Sequence, residues 1–106
     1  MQDFTRLVIW QRSHLLTLNI YRISKKFPKV ESMALTYQIG KAAYSIPTNI
    51  AGGCERKTTP QLKSFLNIAA GSAAELHYQL ILFKDLLYLP RAISEELIQE
   101  ILEIKK

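Results

Sequence analysis

Hydrophobic positions along this chain recur at three and four residues, the spacing of one face of an α-helix. Nowhere do they alternate long enough for a strand, and no Asn-Gly or Asp-Gly hairpin turn is present. Over residues 3–27, Leu16, Ile20, Ile23 and Phe27 follow the helical rule. Leu7, Val8, Leu15 and Leu18 form a neighbouring stripe, with Trp10 and Tyr21 at its edges. Asp3 suits the N-cap. Pro28 stops the helix, because the residue before a proline is biased out of the α region. Lys25 and Lys26 complement the negative end of the helix dipole. Residues 28–32 then read as a short turn, and a second helix runs from roughly Met33 to Cys54.

Residues 38–56 organise the rest. Leu35, Ile39, Ala42, Ile46, Ile50 and Gly53 make one apolar stripe, and Gly40, Ala43, Pro47 and Ala51 make a stripe of small residues beside it. Pro47 interrupts the pattern. An interior proline removes one hydrogen bond and clashes with the carbonyl four residues back, here Ala43, at a cost of roughly 3 kcal/mol. Two readings fit: a continuous helix kinked between Ala43 and Pro47 and held by deep packing, or two short helices with Ser45 capping the second.

A third helix is expected from Pro60, with Thr59 as N-cap, to about Leu87. Leu62, Leu66, Ala69, Ala73, Leu76, Leu80, Phe83 and Leu87 step by four and three, the seam of a coiled coil. A second seam of Phe65, Ile68, Ser72, Gln79, Leu82 and Leu86 implies a helix that is central in its bundle or shared with another subunit. The small centre of this helix, residues 69–74, suits close packing against the Gly40 to Ala51 stripe. Ser94 caps a fourth helix to Ile104, with Glu95 and Glu96 in its first turn. Four helices with short loops predict an all-α, antiparallel, up-down-up-down four-helix bundle, a single domain over residues 1–106.

Composition adds three points. Hydrophobic residues make up 48% of the 106, enough for a core. The net charge of +5 is uneven: residues 1–63 carry 10 basic and 3 acidic groups, residues 64–106 carry 4 and 6. That asymmetry fits a polyanion partner, or one copy's basic half meeting another's acidic half. A single cysteine, no signal-peptide layout and no long apolar run lead to the expectation of a cytoplasmic protein without a membrane span.

No constellation for catalysis stands out. His14 and His77 lack companions at ligand spacing, so no metal is expected. Cys54 has no assignable base. Gly52 and Gly53 follow no strand and precede no Gly-Lys-Ser/Thr, so they mark a flexible helix end and not a phosphate loop. No cofactor is implied. Glu75 falls on the second seam of helix three, and a buried carboxylate there needs a partner, with Asn49 and Lys41 as candidates. The basic residues divide into Arg22, Lys25, Lys26 and Lys29 at the end of helix one, and Arg56, Lys57 and Lys63 before helix three. Aromatic rings for stacking are not visibly interleaved with them.

Five pieces of the chain carry a family resemblance: L-V-I-W-Q at 7–11, K-F-P at 26–28, L-T-Y-Q-I at 35–39, A-A-Y-S-I-P-T-N-I-A at 42–51 and F-L-N-I-A-A-G-S-A-A-E-L at 65–76. In order and spacing they resemble the bacterial four helix bundle family, also called the large-subunit (23S) rRNA intervening-sequence protein. The resemblance implies a left-handed bundle and a ring-shaped homo-oligomer, a pentamer, as in the related accessory proteins of diversity-generating retroelements. Those relatives bind nucleic acid through basic surface and associate with a reverse transcriptase. No catalytic activity is attributed to the family. Two departures stand out: Gly40 and Lys41 replace a usual pair of arginines, and Gly52 replaces a usual glutamate.

The expected function is therefore non-enzymatic binding of RNA or structured DNA by an oligomer. Phosphates would be met by Arg22, Lys25, Lys26, Lys29, Lys41, Arg56 and Lys57. The competing expectation is a protein-interaction scaffold, for example an accessory subunit for a reverse transcriptase.

Overall fold

The computed structural model describes residues 3–27 and 29–105, and of residues 29–33 the backbone alone. A 3₁₀ turn, Phe4–Arg6, leads into four helices: α1 Val8–Ser24, α2 Lys29–Cys54, α3 Thr59–Asp85 and α4 Arg91–Lys105. No strand occurs among the described residues.

Helix ends differ from the sequence expectations in ways that local hydrogen bonding explains. Asp3 caps the 3₁₀ turn and not α1, its carboxylate accepting from Thr5 N at 3.1 Å. Leu7 is extended, so α1 starts five residues later than expected. It also ends early, at Ser24, and tight turn bonds carry the chain from Lys26 N to Ile23 O and from Phe27 N to Ser24 O. The expected stop at Pro28 lies outside the described residues. Helix α2 begins at Lys29, four residues before the expected Met33.

Helix α2 is one continuous helix, so the two-helix reading of Pro47 falls. Proline at 47 leaves the Ala43 carbonyl without its intrahelical donor. The single proton of the buried Thr17 hydroxyl of α1 is shared between Ser13 O at 2.7 Å and Ala43 O at 3.1 Å, and its longer branch reaches the vacancy. A buried carbonyl is satisfied across a helix pair instead of along one helix.

Thr58, not Thr59, caps α3, accepting from Gln61 N at 3.3 Å, which moves Pro60 to the second helical position. The other end closes in a Schellman turn. Leu87 N donates to Lys84 O and Tyr88 N to Phe83 O, and the Tyr88 ring packs edge-on against Phe83 at 5.7 Å. Leu87 occupies the left-handed position with φ 62°, where glycine is usual, and its side chain is 87% exposed. Helix α4 starts at Arg91, three residues before expected, with Ser94 N bonded to Pro90 O at 3.0 Å. Ser94 is therefore an interior residue, fully buried with its hydroxyl unpartnered, and no acidic residue occupies the first turn.

Leu16, Ile20, Ile39, Ile50, Leu76, Leu80, Phe83 and Ile101 are sealed in one core fed by all four helices. Helices α1–α2, α2–α3, α3–α4 and α1–α4 are in contact, and the molecule measures 45 × 23 × 19 Å. At about 1.5 Å per residue, α3 spans roughly 40 Å and α4 only about 22 Å, so α4 leaves part of α3 uncovered. Leu66, Ile68 and Leu86 of the two expected α3 seams stand exposed.

The small residues of α2 serve two neighbours, not one. Gly40 and Ala43 face α1: a Cβ on Gly40 would lie 3.2 Å from the Tyr21 ring. Helix α3 is met instead by Ser45, whose hydroxyl lies 2.7 Å from that of buried Ser72, and by Gly52 and Gly53. A Cβ on Gly52 would lie 2.9 Å from Phe65 Cε1, and one on Gly53 would lie 3.0 Å from Leu62 Cδ1. These two glycines are close-approach positions inside a helix that continues to Cys54, and not a loosened terminus.

Candidate functional site

The expected phosphate-binding residues are not gathered at one spot. Arg22 donates to Asn19 Oδ1 at 3.3 Å and lines a groove of about 450 Å³ between α1 and α4, whose other walls include Glu96 and Glu100. Glu100 on that wall is ion-paired with Arg12 of α1 at 3.6 Å. Lys25 and Lys26 are exposed just beyond the end of α1. The side chain of Lys29 lies outside the described residues. Lys41 is exposed in the middle of α2, and Lys57 is exposed beyond its end.

Arg56 already has an occupation. Its Nε donates to Gly52 O at 3.1 Å and its guanidinium sits 4.7 Å from the centroid of the Phe65 ring. One side chain thus satisfies a helix-terminal carbonyl and clamps α3 to the end of α2. Lys41 is 13 residues, about 20 Å, from the end of α2 at Cys54, and Lys57 lies three residues beyond that end.

The expected polar contact takes another form. Glu75 is exposed, and among the described residues it makes neither an ion pair with Lys41 nor a hydrogen bond to Asn49. Asn49 donates its amide to Ser45 O at 2.8 Å and to Ser45 Oγ at 3.0 Å. The polar bridge across α2 and α3 is therefore Asn49–Ser45–Ser72, made of neutral groups that need no counter-charge when half-buried. Gln38, Lys41 and Glu75 rim a shallow recess of about 180 Å³ outside it.

Helix α1 and helix α2 share an outer surface that the spacing of basic residues alone did not reveal. Tyr37, Lys41 and Tyr44 follow one another at four and three residues on α2, and all three are exposed. Gly40 lets the Tyr21 ring of α1 lie against the same helix. Lys41, the cation these rings flank, lies outside the two basic clusters at the ends of the helices. The intervals 37–41–44 were present in the sequence as a helical face; the contribution of Tyr21 depends on helix pairing and was not.

Elsewhere, Trp10 stacks on His14 with ring centroids 5.0 Å apart and packs edge-on to Phe4 at 5.1 Å. Lys105 Nζ lies 3.4 Å from His77 Nδ1, and Cys54 is a buried free thiol. An apolar groove of about 260 Å³ opens where α4 ends, lined by Ile9, Ile46, Ile50, Leu66, Ala69 and Ile104 among others. No helix of the described residues is long and apolar enough to cross a membrane.

The model of the 23S rRNA-intervening sequence protein family matches residues 5–106. The chain belongs to this family. Among solved structures, a protein of unknown function from the S23 ribosomal protein family of Bacteroides thetaiotaomicron is 24% identical. The match covers 92% of each chain with a TM-score of 0.86, so the two share a fold. No curated protein matches the chain. The exposed cations and tyrosines of α1 and α2 are therefore set on a 23S rRNA-intervening sequence protein scaffold, as the motif resemblance implied.

Proposed function

We propose that this chain is a non-enzymatic, oligomeric nucleic-acid-binding protein of the cytoplasm, working without metal or cofactor. The observation that carries the reading is the charge of the first two helices. Between Phe4 and Cys54 the sequence carries seven basic residues against one carboxylate, Glu31, and of the seven Arg12 is ion-paired with Glu100 of α4 at 3.6 Å. Such a surface attracts polyanions by counterion release, with no need for a shaped pocket. The family description names an intervening sequence of 23S rRNA, which makes RNA the first polyanion to test and structured DNA the second.

The bundle is read as up-down-up-down and left-handed, with α2 bent at Pro47. Contacts that step in opposite directions support the topology: Thr17 meets Ala43 while Tyr21 meets Gly40, and Ser45 meets Ser72 while Gly53 meets Leu62. Assembly into a homo-oligomeric ring, a pentamer, is supported by the apolar groove that α4 leaves open. A second reading, an interaction scaffold such as a reverse-transcriptase accessory subunit, is favoured by one feature. Leu86, Leu87 and Ile93 project as an exposed apolar tip at the α3–α4 turn, one of them in a strained backbone conformation.

Light scattering and a gel shift on the same sample separate these readings. An oligomer that shifts RNA or DNA at low salt is expected. An oligomer that shifts neither leaves the scaffold reading, and a monomer that shifts neither removes both.

A further inference from the structure

Resting on the nucleic-acid reading above, we infer that the outer face of α1 and α2 is a stacking platform for unpaired bases, with Tyr37, Tyr21 and Tyr44 as its rings and Lys41 and Lys25 as its phosphate contacts. The three rings are 60%, 46% and 41% exposed. Neither Tyr37 nor Tyr44 is covered by another ring or a guanidinium among the described residues. Tyr21 reaches this face because position 40 is glycine; a Cβ there would press on its Cε1, Cζ and Oη at 3.2 Å. Gly40 lies three residues after Tyr37 and four before Tyr44. At 1.5 Å per residue, the levels of the three rings step by roughly 5 Å along α2.

That step selects the form of the ligand. Stacked bases of a strand sit about 3.4 Å apart with their faces covered, so a duplex offers these rings nothing. An unpaired strand can part its bases and lay each on a ring, and base–aromatic stacking tolerates any sequence. Charge complements the rings. Lys41 lies between Tyr37 and Tyr44 on the same helical face, with Glu75 of α3 lining the recess on its other side, Lys25 follows the helix that carries Tyr21, and the only carboxylate of the chain from Arg6 to Gly53 is Glu31. A face of phenol rings and ammonium groups fits a strand of phosphates and π-faces better than it fits an apolar partner helix.

The test uses the full chain and two probes, an oligo-uridylate 20-mer and a 20-base-pair RNA duplex, followed by fluorescence anisotropy over a salt series. The double variant Tyr37→Ala/Tyr44→Ala is expected to weaken oligo-uridylate binding by at least on the order of 10-fold. Duplex binding stays within about 2-fold, and the salt slope for oligo-uridylate is unchanged. Tyr37→Phe/Tyr44→Phe keeps the wild-type affinity, because the ring face and not the hydroxyl is used. Lys41→Ala weakens both probes and lowers the salt slope by about 1.

Equal loss on both probes, or no loss on either, overturns the platform while leaving nucleic-acid binding standing. A change in solution mass of the alanine variant also overturns it, because the face would then seat a second copy. A wild-type protein that binds neither probe at low salt overturns the platform and the nucleic-acid reading together.

Discussion

Helix α2 has two sides under opposite demands. Its inner side carries Gly53, Ser45 and Ala43, each matched to a particular atom of α1 or α3, with buried Pro47 beside them. Its outer side carries Tyr37, Lys41 and Tyr44, large groups left in solvent. Where neighbours approach closely, side chains shrink and polar atoms are paired; where nothing packs, the chain spends its bulk and charge. The contrast separates what holds the fold from what is available for binding. Arg56 belongs with the first group, being tied to Gly52 and Phe65. Lys41 belongs with the second.

The largest effect should come from filling the inner side. In Gly53→Val, branched bulk would meet Leu62 and Phe65 where a Cβ alone already reaches 3.0 Å and 3.2 Å. Overpacking of this kind costs on the order of 2–3 kcal/mol, read as a melting temperature lower by about 10 °C or more. An unchanged melting temperature would mean that the α2–α3 seam is looser than described.

Next comes the hydroxyl that serves the proline. Thr17→Val leaves the Ala43 carbonyl buried without a donor, a loss of about 1–3 kcal/mol in denaturant unfolding. In a Pro47→Ala background the restored N–H can reach that carbonyl, so the cost of Thr17→Val should shrink to about half or less. Equal costs in both backgrounds would show that Thr17 matters only through its own helix. A smaller effect of opposite sign is expected at Gly71, whose Cβ would meet nothing within 4 Å. Gly71→Ala should raise stability by roughly 0.5–1 kcal/mol through helix propensity alone. Smallest of all, Tyr37→Ala and Tyr44→Ala should each move stability by no more than about 0.5 kcal/mol, because those rings pack on little.

The four helices and most of the core were legible in the sequence, because Ile39, Ile46, Ile50, Leu76, Leu80 and Phe83 keep helical spacing and are buried as that spacing requires. Helix ends were less legible. Ser94 looks like a cap, yet the helix starts three residues earlier at Arg91, and a serine three positions inside the start gives the same local pattern. Thr58 and Thr59 are equally good caps on paper, and only the backbone of Thr58 is extended. The stripe of small residues on α2 was visible, but not its division between α1 and α3, which depends on how helices are rotated about their axes. Glu75 sits at a seam spacing and is still exposed, although Ser72 and Gln79 of the same seam are buried and half-buried. The tyrosine face needed Tyr21 and Gly40 to be brought together across 19 residues, which no local pattern encodes.

The central claim is that the basic α1–α2 half meets phosphates, and the salt dependence of RNA affinity tests it most directly. With three to five phosphates engaged, log affinity for a single strand should fall against log salt with a slope of roughly −2 to −3.5. A flat dependence, or no binding at about 50 mM salt, would contradict it.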